Sequence, residues 1–352
     1  MNYKQQIFKT LAFLLFYAGA LKFINRIVNR FQRNENDQGK LVVPFIKNRH
    51  CGNIQILVYH RVNDENDPFF SGIPIDAFKR QMEYLASSFN IISLEEAVKR
   101  LTKRDVPDNT IVVTFDDGYR DNYVNAFPIL RKLSIPATIF LAVDAIGSRR
   151  VLWHDRVFSA FRETRVSVLT GFANSSSEYP LNTVAERLLA QQKVLHFIRS
   201  LDEEARLSAI NALIEKLEVT DRKEVPELML SWEEVKAMHY NGISFGSHTV
   251  THPILSRLSL ERNREEIEKS KSTIEQRLGV RVTTFAYPNG KPNDFAETTK
   301  KLLRAAGYIC AVTTKFGANE CGQDLFELRR ATPWDRDACA FGLRLNYYKF
   351  CS

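Results

Sequence analysis

Thr114-Phe115-Asp116-Asp117-Gly118-Tyr119 follows directly on the apolar run Ile111-Val112-Val113. That run is too short for a helix and is closed by a turn glycine, so it reads as a buried strand. Two adjacent carboxylates at the end of such a strand are costly, because each needs a partner or must shift its pKa. A metal cation is the usual solution, and further ligand types stand in His248-Thr249-Val250-Thr251-His252, behind a second strand-like run, Ile243-Ser244-Phe245-Gly246. One carboxylate with two imidazoles makes three protein ligands and leaves a position open for water, the layout of a catalytic rather than a structural zinc site. The second carboxylate is then free to act as a base on that water. Taken alone, an Asp-Asp-Gly turn could merely end a strand; the paired histidines weigh against that.

Working outward, Ile54-Gln55-Ile56-Leu57-Val58-Tyr59-His60 reads as the first strand of the folded region. Helical spacing follows over 76–88 and 94–101, the second opened by Ser93 with Glu96 three residues on, a capping box. After the Asp-Asp strand come a crossover helix over 121–133, interrupted near Pro128, and a strand over 137–143. Strands alternating with helices imply parallel pairing. The alternation stalls over 146–227, which reads as a mostly helical insertion containing Trp153-His154-Asp155. It resumes with the strand that delivers the histidines and with strands over 282–287, 309–313 and 326–330. Seven or eight strands result, and Asp116, Asp117, His248, Tyr287 and His60 all fall at strand C-terminal ends, where parallel barrels build their active sites.

On the unaltered motifs T-F-D-D-G and H-[S/T]-x-x-H, the chain resembles the polysaccharide deacetylase family (NodB homology, carbohydrate esterase family 4) from about Ile54 to Trp334. The resemblance implies an α/β fold, an irregular (β/α)7-type barrel. It implies Asp117, His248 and His252 as metal ligands and Asp116 as the general base. Phe285-Ala286-Tyr287-Pro288-Asn289-Gly290 resembles the family's third motif, with Ala286 where an arginine often orients the catalytic aspartate. That substitution also occurs in the branch of poly-N-acetylglucosamine deacetylases, the branch this chain is closest to in motif style. Asp116 is thus left without an identified orienting partner. In the family a backbone N–H of this loop helps to hold the oxyanion, and the matching position is Asn289. No histidine follows His252, so His60 at the end of the first strand is the expected general acid. Tyr119, Tyr287, Asn289 and Trp334 are the expected substrate contacts. Trp153, His154 and Asp155 match no core motif and are expected to pack the insertion or line a sugar groove.

The chain has 352 residues, 44% hydrophobic and 26% charged, ordinary for a globular protein. The net charge of +8 does not indicate nucleic acid, because residues 1–50 alone carry nine basic and two acidic residues. The body is close to neutral. The leader couples an apolar run over 11–21 to an amphipathic, basic stretch, which suits a membrane interface through a helix over 1–33. Ala18-Gly19-Ala20 mimics a signal-peptide cleavage site and offers export as the alternative. Dense positive charge after the run instead favours membrane association at the cytoplasmic face. Residues 34–53 read as a linker and 54–352 as the catalytic domain. Five cysteines without C-x-x-C spacing indicate neither a disulfide framework nor a thiolate zinc site, and mildly favour a reducing compartment.

The expected function is metal-dependent removal of N-acetyl groups from an N-acetylated amino-sugar polysaccharide or lipid-linked glycan. Zinc is the natural ion for the donor set, with cobalt or nickel able to occupy it. The alternatives are a catalytically silent glycan-binding or assembly subunit and a hydrolase of a small non-sugar amide.

Overall fold

A computed structural model describes residues 51–172 and 178–348 of the chain. The expected helix over 1–33 lies outside the described residues. Among those described, no helix is long and apolar enough to cross a membrane.

In chain order the elements are β1 (Ile54–Tyr59), α1 (Ile75–Ser88), β2 (Asn90–Ile91), α2 (Leu94–Lys103) and β3 (Thr110–Phe115), then α3 (Phe127–Lys132) and β4 (Ala137–Leu141). The insertion follows with α4 (Trp153–Glu163), β5 (Val168–Leu169), β6 (Tyr179–Pro180), α5 (Val184–Ser200) and α6 (Glu203–Lys216). The main frame resumes with α7 (Trp232–His239), β7 (Ile243–Ser247), α8 (Leu260–Leu278), β8 (Thr284–Ala286), α9 (Glu297–Ala305), β9 (Cys310–Val312) and α10 (Ala338–Tyr348). The main sheet runs β1-β3-β4-β7-β8-β9, every pair parallel, with β2 alongside β3. β1, β3 and β4 are buried along their whole length, as parallel strands covered on both faces are.

The expected last strand over 326–330 is instead a single 3-10 turn, Leu325–Glu327, followed by an extended segment. That segment closes the barrel. Leu328 donates to Ala311 on β9 and accepts from Thr313 just past its end, while Ala331 donates to Ile56 and accepts from Val58 on β1.

Alternation along the strands sorts the core. Ile111, Val113 and Phe115 face the layer that includes Phe78, Met82 and Leu130 of the covering helices, whereas Ile54, Ile56, Val112 and Phe140 belong to a second cluster with Leu94 and Leu101. The insertion is helical as expected but has its own core of Trp153, Val157, Phe161, Val194, Ile198 and Leu213, into which Phe69 reaches from the β1–α1 loop. The long helical part of the insertion is two helices, α5 and α6, broken at Leu201 where Asp202 caps the second.

The expectation of unpaired cysteines is corrected: Cys51 and Cys321 form a disulfide 270 residues apart. Local spacing rules do not register a pairing that only barrel closure brings about. Cys310 and Cys339 are buried free thiols.

Candidate active site

β3 ends in a turn that bends back at once. Asp116 donates its N–H to the Tyr59 carbonyl, extending the β1–β3 ladder, and Gly118 donates to the Asp116 carbonyl. Asp117, between them, takes φ 75° and Gly118 φ 84°. A left-handed aspartate is sparsely populated and persists where its surroundings hold it. The two carboxylates thereby lie side by side in sequence yet enter different environments.

Asp116 meets Arg330, from the segment that closes the barrel. The guanidinium Nη1 and Nη2 donate to Asp116 Oδ1 and Oδ2, both at 2.7 Å, while its Nε donates to the Thr313 carbonyl at 2.8 Å. Both side chains are buried. Burial alone would raise the Asp116 pKa; Arg330, with His248 and His60, overcomes it and holds the carboxyl at about 2. The orienting arginine absent from the Ala286 position thus comes from elsewhere in the chain. Its sequence signal is an arginine at the C-terminal end of the last strand-like run.

Asp117 has no such cation. Its Oδ1 lies 3.5 Å from His248 Nε2 and 3.4 Å from His252 Nε2, is buried, and makes no hydrogen bond. Burial, then Asp116 and Asp155, raise its pKa. Desolvation lowers that of His248 to about 4 and that of His252 well below its ordinary value, so both rings are neutral near pH 7 and the three groups form no ion pair. His248 Nδ1 pairs with the Ala286 carbonyl at 2.7 Å, leaving Nε2 as the lone-pair nitrogen facing Asp117. Ligand atoms of Asp117, His248 and His252 all lie within 4.8 Å of one another. An orphaned buried carboxylate oxygen facing two neutral imidazoles fits a divalent cation in donor type and in charge.

The histidine loop is a constrained turn rather than helix: Thr249 and His252 have φ 72° and 58°. Fully buried Glu266 on α8 holds it, accepting from the N–H groups of Val250 (2.7 Å) and Thr251 (3.0 Å) and from the Thr251 hydroxyl (2.9 Å). Arg262 pairs with the same carboxylate at 2.9 Å. Neither residue stands out in the sequence, because both belong to a long charged helix.

Above the carboxylates opens a cavity of about 770 Å³, lined among others by His60, Asp116, Asp117, Tyr119, His248, His252, Tyr287, Asn289 and Trp334. All the residues expected at the site are thus brought to one cavity, in different postures. His60 is exposed to the cavity yet walled by protein; the lost bulk water lowers its pKa, Asp116 raises it and Arg330 lowers it. Tyr287 is buried, stacked on Phe295 at 3.9 Å, with its hydroxyl on the Phe326 carbonyl at 3.0 Å. Asn289 takes φ 59° and keeps a buried side-chain amide nitrogen without a partner. Trp334 is 72% exposed at the rim, the posture of a stacking platform.

Tyr119 contributes its ring to the wall, but its hydroxyl donates to Asp155 at 2.9 Å and lies 3.1 Å from His154 Nε2. The Trp153-His154-Asp155 group therefore does more than pack the insertion. Trp153 donates its indole N–H to the His252 carbonyl at 3.0 Å, and the His154 ring packs edge-on to His252 at 4.9 Å. Asp155 caps α4 through the Leu152 N–H, and burial pushes its pKa up to about 7. The insertion is thus anchored directly on a candidate ligand, a connection no local pattern reveals.

A parallel barrel with a carboxylate pair and two histidines at the strand ends defines a hydrolase of the polysaccharide deacetylase class. The chain belongs to the polysaccharide deacetylase family, whose profile matches residues 103–311. These family enzymes depend on a divalent metal ion. YxkH of Bacillus subtilis (strain 168), named for the same family, is 24% identical over 301 residues, covering 85% of this chain and 76% of that one. The poly-beta-1,6-N-acetyl-D-glucosamine N-deacetylase of Staphylococcus epidermidis is 40% identical over 72 residues, 20% of this chain and 25% of its own length. Among solved structures, IcaB from Ammonifex degensii matches with TM-score 0.53 and 20% identity, over 83% of this chain and 97% of that one. The Streptococcus pyogenes deacetylase PplD, in complex with acetate, matches with TM-score 0.53 and 20% identity, over 80% and 93%.

Proposed function

We propose that this chain is a divalent-metal-dependent N-deacetylase of N-acetylated amino-sugar glycans, in exopolysaccharide or cell-envelope metabolism. The observation that carries the reading is the division of labour between adjacent aspartates. Asp116 is ionised and clamped by Arg330, whereas Asp117 is orphaned against two neutral imidazoles.

Zinc held by Asp117, His248 and His252 would polarise the acetamide carbonyl and ease deprotonation of water. Asp116, fixed by two charge-assisted hydrogen bonds, accepts a proton from that water as it attacks. The backbone N–H of Asn289 donates to the developing oxyanion, and donors of this kind are worth about 2.7–4 kcal/mol of barrier. His60 delivers a proton to the departing amine, so that acetate and a free amino sugar result. Trp334, exposed at the rim, offers its indole face to the pyranose, Tyr119 and Tyr287 shape the wall, and the constrained turns keep the reacting groups in place.

The leader over 1–33 supports a membrane-surface location for this chemistry. The Cys51–Cys321 disulfide supports the exported side over the cytoplasmic face, since disulfides persist in oxidising compartments. Fractionation of cells expressing the full chain, with thiol labelling before and after reduction, tests both. The catalytic reading is tested by acetate release from N-acetylglucosamine oligomers by the zinc-loaded full chain beside Asp116→Asn. Turnover that vanishes in the variant while bound zinc stays stoichiometric is expected. A wild-type chain that binds no divalent metal refutes the proposal.

A further inference from the structure

Beyond the carboxylates, the cavity wall carries Arg199 from the last turn of α5, Arg257 from the turn after the histidine loop, and Lys291 from the loop after β8. Hydrogen bonds from Ser256 to the carbonyls of Asn293 and Asp294 tie the second and third of these segments together. Asp294 is in electrostatic contact with all three cations. It already accepts the Lys291 N–H at 2.9 Å.

None of the three cations makes an ion pair or a side-chain hydrogen bond among the described residues, and Arg199 Nε is buried without a partner. Several walled-in cations elsewhere do meet carboxylates, Arg61 with Asp121, Arg156 with Asp221, and Lys300 with Glu297, Asp324 and Glu327, although buried Arg206 has no ion pair among the described residues. Around Asp294, three cations against one carboxylate leave a local excess of two positive charges, in a body that is otherwise close to neutral. Like charges on one cavity wall, Arg199 half-buried and Arg257 and Lys291 exposed, repel one another and favour a counter-charge. Two planar guanidinium forks and a point-charge ammonium match the oxygens of a dianionic phosphoryl group better than a single carboxylate.

Resting on the deacetylase reading, we propose that Arg199, Arg257 and Lys291 form an anion subsite, and that the glycan substrate carries a phosphoryl group seated there. The phosphoryl group comes either from a polyprenyl-diphosphate carrier at the reducing end or from a phosphate on the glycan itself.

The test compares three substrates of the zinc-loaded full chain: an N-acetylglucosamine tetramer, its 1-phosphate, and the tetramer linked through diphosphate to a short prenol. The 1-phosphate is expected to show a KM about tenfold below that of the neutral tetramer, the effect of one good charge-assisted contact. Added salt erodes that advantage. In Arg199→Gln/Arg257→Gln the ratio of the two KM values falls to about one. Arg257→Gln/Lys291→Gln, which alters only exposed side chains, reduces it in the same direction. A further gain for the prenyl-linked tetramer assigns the phosphoryl group to a lipid carrier, and equal KM values assign it to the glycan; both uphold the subsite. Equal KM values for neutral and phosphorylated tetramer in the native chain overturn it, as does an advantage that survives both double variants. If none of the substrates releases acetate, the deacetylase reading fails, and calorimetry with the same tetramers decides the subsite on its own. Tighter binding of the 1-phosphate that the double variants abolish upholds it, and equal binding overturns it.

Discussion

Replacing Arg330 probes how much of the site depends on a single side chain. Arg330→Gln leaves the buried Asp116 carboxylate without its two 2.7 Å charge-assisted bonds. Removing one partner of a buried pair destabilises by about 3–5 kcal/mol. That is a large share of the ~5–15 kcal/mol typical of a domain, so the loss reads directly in denaturant midpoints. Arg330→Lys keeps a charge but not the fork, and should cost less, roughly 1.5–3 kcal/mol for a lost charged hydrogen bond. For activity, an unclamped base is expected to lower kcat about a hundredfold, with KM little changed because Arg330 is screened from substrate by Asp116. Acetate release by folded protein, checked by circular dichroism and zinc content, measures this. The decisive comparison is the cycle with Asp116→Asn. If Arg330 acts through Asp116, the double variant is no slower than Asp116→Asn alone, and its stability loss is smaller than the sum of the singles. Additive losses in kcat, or Arg330→Lys with full activity, would refute the reasoning.

Chelation should lower the denaturation midpoint of the zinc-loaded native chain but not that of Asp117→Asn, because an ion that binds only the folded state stabilises it by mass action; parallel melts with and without chelator check this. Glu266→Ala frees two backbone N–H groups and the Thr251 hydroxyl of the histidine loop, and zinc affinity is expected to fall by about 10–100-fold in competition titrations. Asp155 supplies a pH signature: its carboxyl ionises at about 7 in the folded chain against about 3.9 unfolded. Between those values the folded state binds the extra proton, so the group's contribution to stability falls as pH rises, by at most about 1.4 kcal/mol per unit. Denaturant titrations of metal-free protein at pH 4.5 and 7 should show Asp155→Asn losing that slope. Cys51→Ser/Cys321→Ser should lower stability by about 2–5 kcal/mol relative to the oxidised chain, and added reductant should leave the variant unchanged.

The frame and the reacting groups were legible because they are local. Ile111-Val112-Val113 before Asp116-Asp117-Gly118, and two histidines four apart behind another apolar run, give strand, turn and ligand type within a few residues. What escaped was long-range. Arg330 reaches Asp116 across 214 residues, Glu266 braces the histidine loop from the next helix, and Cys51 meets Cys321 only when the barrel closes. Trp153 matched no motif, because its contact with the His252 carbonyl depends on how the insertion folds back. Ala286 shows the limit from the other side. Its lack of an arginine was readable, but its carbonyl, which orients His248, carries no side-chain signal at all.

That Arg330 arrives with the closing segment has a consequence for biosynthesis. A nascent chain that has emerged as far as β9 already contains both aspartates, both histidines and β1, β3, β4, β7 and β8. It lacks the guanidinium that keeps Asp116 ionised and aligned. Such a partial barrel has its base unclamped until the final stretch zips between its first and last strands. Emergence of the closing segment, rather than acquisition of the candidate ligands, is then the event that completes the Asp116 clamp.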